Sequence, residues 1–271
     1  MIFNLGGPTD TAPTVTFSGS GKFTDEGDGK WNYVCNGSGT FKLDVDCAVD
    51  IFLCGGGGAG GSIRAARNNT APGAGGGGGG YRTTKSAINL TAGTSYTVTV
   101  GAGGTAVSEG KGNSGGQSSF KQDSTVVASA NGGAGGEPTW TGVYGTGGTG
   151  GSAGGDGGQL SSAFDSHTPG AGGNGAYAFG ESGWAYPAAG RRFGGGGGGG
   201  GYLFNGGKYA GGAGGASGGA AGATGMANGN AATANMGGGG GGAGHANNSE
   251  GTNFHLGGAG GSGIVIIRSA R

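Results

Sequence analysis

Gly194 to Gly201 is an unbroken run of glycine, and Gly75–Gly80 and Gly237–Gly242 are shorter runs of the same kind. Such a run has no side chain to bury, so it carries neither the 3.6-residue spacing of an amphipathic helix nor the alternation of a strand. Its surroundings do not supply what it lacks. From Ala128 to Gly263 the branched aliphatic residues are Val143, Leu160, Leu203 and Leu256, far too few to build an oil-like core by apolar burial. An ordinary globular domain is excluded over that stretch.

The glycine-rich segments instead follow a period of three. In GTGGTGGSAGGDGG, residues 145–158, larger residues stand at Thr146, Thr149 and Ser152. The same spacing recurs at Asn131, Ala134 and Glu137, at Ala210, Ala213 and Ala216, and at Leu256, Ala259 and Ser262. Three residues per turn is the period of the polyproline II helix, which rises about 3.1 Å per residue and makes no internal hydrogen bonds. Collagen shares that helix, but it needs one glycine in three and abundant proline. Here the repeats carry two glycines in three, and the chain has 6 prolines in 271 residues. A disordered glycine linker would avoid the large ordering entropy of glycine, yet the runs alternate with segments rich in aromatic residues, which disordered linkers lack.

A packed bundle of polyglycine II helices satisfies both observations. Every buried N–H and C=O in such helices must find a partner on a neighbouring helix, and only glycine lets two backbones approach closely enough. A Gly-Gly-X run has two bare edges for neighbours and one edge carrying X. The pure runs are therefore expected inside the bundle and the Gly-Gly-X runs at its surface.

The two ends of the chain read as β structure. From Phe41 to Leu53 the odd positions are Phe41, Leu43, Val45, Cys47, Val49, Ile51 and Leu53, while Lys42, Asp44, Asp46 and Asp50 stand at even ones; this predicts one apolar and one wet face. TSYTVTVG offers a further strand, STVVASA a weaker one, and GIVIIR closes the chain. The expected fold is mostly irregular and all-β, with little or no α-helix: a small β-sandwich or wrap combined with the polyglycine II bundle. Its predicted organisation is a flexible or attachment arm over 1–12 and a single interleaved domain over 13–271. Within that domain, 13–54 and 94–100 are β, 55–263 form the glycine bundle with aromatic loops, and 264–268 return as the closing strand.

The formal charge is zero, which removes the basic surface that nucleic-acid binding requires. No apolar stretch reaches the length of a membrane-spanning helix, so no membrane insertion is expected. The opening MIFNLGGPTD has neither the basic nor the apolar region of a signal peptide, so synthesis in a cytosol is expected. Cys35, Cys47 and Cys54 read as reduced, packed thiols, with a Cys35–Cys47 disulfide left open; their spacing does not suit a zinc site, and no metal is expected. GSGKF lacks both the upstream glycine and the hydroxyl residue of a phosphate-binding loop, since Thr16 and Phe23 stand there. Asp165, Ser166 and His167 are consecutive, whereas a catalytic triad converges from separate segments. No cofactor and no enzymatic activity are expected.

Between the glycine runs lie EPTWTGVYG, QLSSAFDSHTPG, AYAFGESGWAYPAAGRRF, YLFNGGKY and HANNSEGTNFHL. Aromatic residues mixed with Asn, Ser and Arg give rigid contact area with adaptable hydrogen bonding, the composition of recognition surfaces. The candidate binding residues are Trp140, Tyr144, His167, Tyr177, Trp184, Tyr186, Arg191, Arg192, Tyr202, Asn205, Tyr209, Phe254 and His255. Some of the aromatic residues are expected to cap the bundle ends instead.

The stacked motifs GGGGAGG, GAGGGGGGY, GGGGGGGGY and GGGGGGAGH, separated by aromatic loops, resemble the tip adhesins of T-even-type phage long tail fibres. DIFLCGGGGAGG, YTVTVGAGG, GGQSSF and GGSGIVIIR, in that order, are similar to the glycine-rich domains of many phage and prophage tail proteins. DIFLCGGGGAGG also resembles the glycine-rich ectodomain of the anaplastic lymphoma kinase family. The first two resemblances imply a sandwich of polyglycine II helices whose distal loops bind a bacterial surface protein or glycan. They further imply a place on the virion, at the tail or fibre tip, with other tail-fibre or virion proteins as partners and a homo-oligomer left open. The alternative is a structural fibre, decoration or self-assembling filament subunit whose aromatic segments pack against neighbouring copies.

Overall fold

A computed structural model describes residues 11–63, 72–139, 143–160, 166–182, 191–204, 207–216, 218–244 and 254–271. The fold is all-β, with a polyglycine II bundle set against a β-sandwich. The strands before and within the first glycine runs are β1 (Val15–Phe17), β2 (Gly21–Gly27), β3 (Lys30–Cys35), β4 (Gly39–Leu43), β5 (Cys47–Cys54), β6 (Arg82–Leu90), β7 (Tyr96–Thr99), β8 (Ser118–Gln122) and β9 (Thr125–Ala130). Short hairpins follow: β10 (Gln159–Leu160) with β11 (Ser166–His167), β12 (Ala176–Tyr177) with β13 (Arg192–Phe193), and β14 (Leu203–Phe204) with β15 (Gly207–Lys208). β16 (Ile264–Ser269) closes the chain. Of the arm read over 1–12, residues 1–10 lie outside the described residues.

One sheet has the order β1-β4-β7-β8-β9 and the other β2-β3-β16-β5-β6. The closing strand is thus inserted between β3 and β5, antiparallel to both, with Ile267 opposite Tyr33 and Ile51. This insertion draws the two ends of the glycine block together. Between the sheets lie Trp31, Tyr33, Phe41, Leu43, Val49, Ile51, Leu53, Tyr96, Val98, Phe120, Val265 and Ile267. Full burial of a large apolar side chain stabilises by roughly 1.5–3 kcal/mol, so the conventional core of the protein sits here.

The alternation from Phe41 to Leu53 is not one strand. β4 and β5 belong to different sheets, and the chain turns between them at Asp44 to Asp46, leaving Val45 exposed. Nor is the even face of β5 wet: Asp50, Phe52 and Cys54 are buried, because a second apolar layer covers that side. It comprises Val34, Phe52, Cys54, Ala178, Phe193, Met236, Ile264 and Ile266. β6 and β8 add strands inside the stretch that the sequence gives to glycine, and β9 is the weaker strand read at STVVASA. All three cysteines are free thiols.

The bundle explains the period of three. Along residues 73–81 the amides donate in rotation to three different neighbours: Gly73, Gly76 and Gly79 to Gly158, Gly155 and Ser152; Ala74, Gly77 and Gly80 to Ala243, Gly240 and Gly237; Gly75, Gly78 and Tyr81 to Glu137, Ala134 and Asn131. Each step of three residues meets a step of three on the partner. The carbonyls of the same run accept in a second rotation, from Gly61 and Gly58, from Gly145, Gly148 and Gly151, and from Gly200 and Gly197. Backbone pairing here replaces side-chain packing, as a helix without internal hydrogen bonds requires.

Placement follows the sequence expectation. Residues 55–63, 72–80, 193–202 and 236–244 are buried throughout, and these runs are hydrogen-bonded to one another. In the Gly-Gly-X runs Thr146 and Thr149 are exposed while Gly145 and Gly148 are buried; Ser152, where the run reverses, is instead buried, donating to the Asn174 carbonyl and accepting from Arg82. Two of the pure runs start at glycines in the left-handed region, Gly194 (φ 70) and Gly237 (φ 64). A β-carbon at Gly237 would also fall 2.5 Å from Cys54 Sγ, so both backbone angle and space demand glycine there.

Candidate functional site

The hydrogen-bond register fixes which end of the bundle each connection occupies. Gly55, Gly101, Gly194, Gly237 and Gly263 lie at the sandwich end, each beside strand termini or Cys54. Ile63, Gly73, Thr139, Gly158, Gly201 and Ala243 mark the opposite end. A nine-residue run is about 28 Å long at the polyproline II rise, so the two ends are well separated.

At the far end, Tyr202 and Tyr209 stack with ring centroids 4.5 Å apart and planes within 9°. The pair forms because the Tyr209 amide donates to the Tyr202 carbonyl at 3.0 Å, next to the β14–β15 hairpin. Tyr202 is 7% exposed and Tyr209 43%. Tyr202 therefore caps the bundle, packing beside Gly158, while Tyr209 presents its face outward. Burial pushes the Tyr202 hydroxyl pKa up.

Ile63 is fully buried and anchors a second cluster at this end. It bridges both His255 and Thr139, and Thr139 Oγ1 donates to the Val143 carbonyl at 2.7 Å. Phe254 and Val143 are exposed there, and Tyr144 is half-buried. His255 is half-buried, its Nε2 has no hydrogen-bond partner among the described residues, and burial lowers its pKa, favouring the neutral imidazole.

Tyr177, Arg191 and Arg192 occupy the sandwich end. The 170–175 run returns the chain toward the sandwich, where β12 pairs with β13. Arg192 lies over the Tyr177 ring at 4.8 Å and donates to its hydroxyl at 3.2 Å. Arg191 Nε donates to Met236 Sδ at 2.9 Å. The described candidates are thus split between the two ends of the molecule, with Tyr144, Tyr202, Tyr209, Phe254 and His255 at the far end and Tyr177, Arg191 and Arg192 at the sandwich end. Trp140, Trp184, Tyr186 and Asn205 lie outside the described residues, as does the His167 side chain, although its backbone forms part of β11.

The sequence marks Val143 as a rare branched residue without assigning it to a surface and places Leu256 on the outer edge of a Gly-Gly-X run. Both are exposed. The signal was present: a bundle without an oil core offers such residues nowhere to hide.

Among the described residues no group of His, Cys, Asp or Glu converges to hold a metal ion, and no helix is long and apolar enough to cross a membrane. The arrangement is a stiff scaffold with an aromatic end. A family described as a glycine-rich domain matches residues 34–270. The chain belongs to the glycine-rich domain family. That match runs from the end of β3 through β16, so it includes the bundle and most of the sandwich of this glycine-rich domain but not β1 and β2. Among curated proteins none matches the chain.

Proposed function

We propose that this glycine-rich domain protein is a phage tail-fibre or tail-tip adhesin that meets a bacterial surface protein or glycan with the far end of its bundle. The observation that carries the reading is the division of labour around Tyr202 and Tyr209. One ring seals the backbone hydrogen bonds and the other is offered to solvent. Exposed Phe254 and Val143 share that end. Rings of this kind supply large, rigid contact area at low entropic cost, and loops set on a stiff scaffold vary without unfolding it. The resemblance to phage tail proteins supplies the virion as the place of action, after synthesis in the host cytoplasm.

Fluorescently labelled protein added to a panel of bacterial strains tests this reading. The expected result is saturable, strain-selective binding that falls at least about tenfold in a folded Tyr209→Ala/Phe254→Ala variant. Polymerisation on concentration, with no binding to any strain, would instead support the structural-subunit alternative.

A further inference from the structure

A groove of about 230 Å³ opens at the sandwich end, far from the aromatic tip, lined by Asn36, Arg191, Phe193, Ala234, Asn235, Met236 and Ile264. It forms where the end of β3, the strand β13, the turn before the 237–244 run and the start of β16 meet. Phe193, Met236 and Ile264 are buried and give it an apolar floor. Its polar groups are an arginine and two asparagines, with no carboxylate among the described lining residues.

Two features prepare these groups for a ligand. The Arg191 Nε–H is occupied by Met236 Sδ, which fixes the guanidinium while its two Nη groups have no hydrogen-bond partner among the described residues. Arg191 is also held in place by its neighbours, because Arg192 and Phe193 form β13 and Arg192 is fixed on Tyr177. Asn235, at φ 57, accepts from Ser262 Oγ through Oδ1 at 3.1 Å while its own amide donates to that hydroxyl at 2.9 Å. Its side-chain NH₂ is left as a donor. The Asn36 side chain likewise has no partner among the described residues.

We infer that this groove binds a small organic carboxylate carrying one ring. The paired Nη groups of a guanidinium match the two oxygens of a carboxylate, the asparagine amides supply flanking hydrogen bonds, and the floor of Phe193, Met236 and Ile264 takes the ring. The volume suits a single ring with its acid group and is below the usual range for larger ligands. The site is independent of the adhesin reading, since it lies at the opposite end of the bundle.

Benzoate, glucuronate and benzamide titrations, followed by backbone amide NMR of ¹⁵N-labelled protein, test the assignment. Benzoate or glucuronate is expected to give saturable shifts centred on Asn36 and 234–236, and which of the two acids binds identifies an aryl or a sugar acid. Benzamide, without the charge, is expected to bind at least about tenfold more weakly. Arg191→Gln should lose about tenfold or more in affinity for the acid, and Arg191→Lys should recover only part of it, lacking the fork. Unchanged amide shifts at the far end establish that each variant is folded, and Asn36→Ala provides a second, independent weakening. Absence of saturable shifts with both acids, or equal binding by Arg191→Gln and the parent, would overturn the inference. Either result leaves the cell-binding test of the far end untouched.

Discussion

Gly197 lies so close to Gly240 that a β-carbon built on it would fall 2.0 Å from the Gly240 carbonyl oxygen. Both belong to buried runs, and the obstructing atom is backbone, which no side-chain rotation can move aside. Overpacking in a well-filled interior costs about 1–3 kcal/mol, and separating the two runs would also break the hydrogen bonds between them, from the Gly242 amide to the Gly198 carbonyl at 2.9 Å and from the Gly239 amide to the Gly195 carbonyl at 2.8 Å. Gly197→Val is therefore expected to lower the thermal midpoint severely or prevent folding, and Gly197→Ala to do so to a lesser degree. At Gly173, on a surface run, the nearest atom to an added β-carbon is the Ala153 amide nitrogen at 3.3 Å, a crowding of only a few tenths of an ångström, so Gly173→Ala should cost far less than Gly197→Ala. Thermal unfolding followed by circular dichroism checks the contrast, and equal midpoints for Gly197→Val and the parent would refute the bundle.

Arg268 on β16 supports a second prediction. Its guanidinium reaches Asp50 Oδ2 at 3.2 Å and both Glu181 oxygens at 2.7 and 2.8 Å, and it lies 3.9 Å from the centroid of the Phe179 ring. Arg268 and Asp50 are almost completely buried, at 4% and 6%. Removing one member of a buried pair leaves the other charge uncompensated and typically costs about 3–5 kcal/mol. Arg268→Met should destabilise on that scale, and Asp50→Asn added to it should recover a measurable part. Chemical denaturation of the two variants reads both effects; no recovery in the double variant would mean that Asp50 is not the charge left stranded.

Much of this arrangement was legible in the sequence, and the reasons for the rest are local. The period at Thr146 and Thr149 announces the three-fold helix because a surface residue can stand at only one edge. Asp50 was read as wet because alternation reports one covered face and cannot report a second, supplied here by Phe193 and Met236 from far along the chain. β6 stayed hidden because Thr83, Lys85 and Ser86 give it little apolar pattern. The division of the aromatic segments between two ends depends on where runs reverse, and one reversal falls inside GTGGTGGSAGGDGG. Gly148 and Gly151 run parallel to Gly76 and Gly79 as donors, whereas Ser152, Gly155 and Gly158 accept from the same segment in the opposite direction. A turn made of glycine within a glycine run leaves no mark in composition.

Glu181 gives the ion cluster a pH dependence. Hydrogen bonding to Arg268 holds its carboxyl below the ordinary carboxylate value, against a smaller opposing effect of burial. A group with a depressed folded pKa contributes stability that is fully present above its unfolded value of 4.5 and is lost as pH falls through the folded value. The contribution is modest because the side chain is 44% exposed and solvent screens the pair. Glu181→Gln should therefore be less stable than the parent at neutral pH, and the difference should shrink below about pH 4. Denaturation midpoints measured across that range decide it; a constant difference would assign the effect of the substitution to packing rather than charge.

The thiols should divide by burial. Cys35 and Cys54 are buried, with burial pushing the Cys35 thiol pKa up strongly and that of Cys54 up to about 12. Cys47 is half-buried and its pKa is raised less. Because the thiolate is the reactive form, a disulfide-exchange reagent at pH 8 should label Cys47 alone, and slowly, in the native protein. Cys35 and Cys54 should react only after denaturant is added. Mass spectrometry of the labelled peptides identifies the site, and native labelling of Cys54 would show that the junction between β5 and the first glycine run opens.

His255 makes the far end respond to mild acid. Burial lowers its pKa from the ordinary 6.5, and its Nε2 has no partner among the described residues to stabilise a second proton. A base with a depressed folded pKa binds fewer protons when folded than unfolded, so its stability contribution is complete above about pH 6.5 and declines as pH falls through the folded value. Protonation would place a charge beside the buried bridge between Ile63 and His255 that ties the 55–63 and 255–263 runs together. Protection factors at Ile63 and His255, which allow for the slower intrinsic amide exchange in acid, should accordingly fall between about pH 6.5 and 5, while those at Val265 and Ile267 in the sandwich core stay unchanged. His255→Gln should remove that dependence. If the protection factor at Ile63 ignores pH in the parent, His255 does not control the opening of this end.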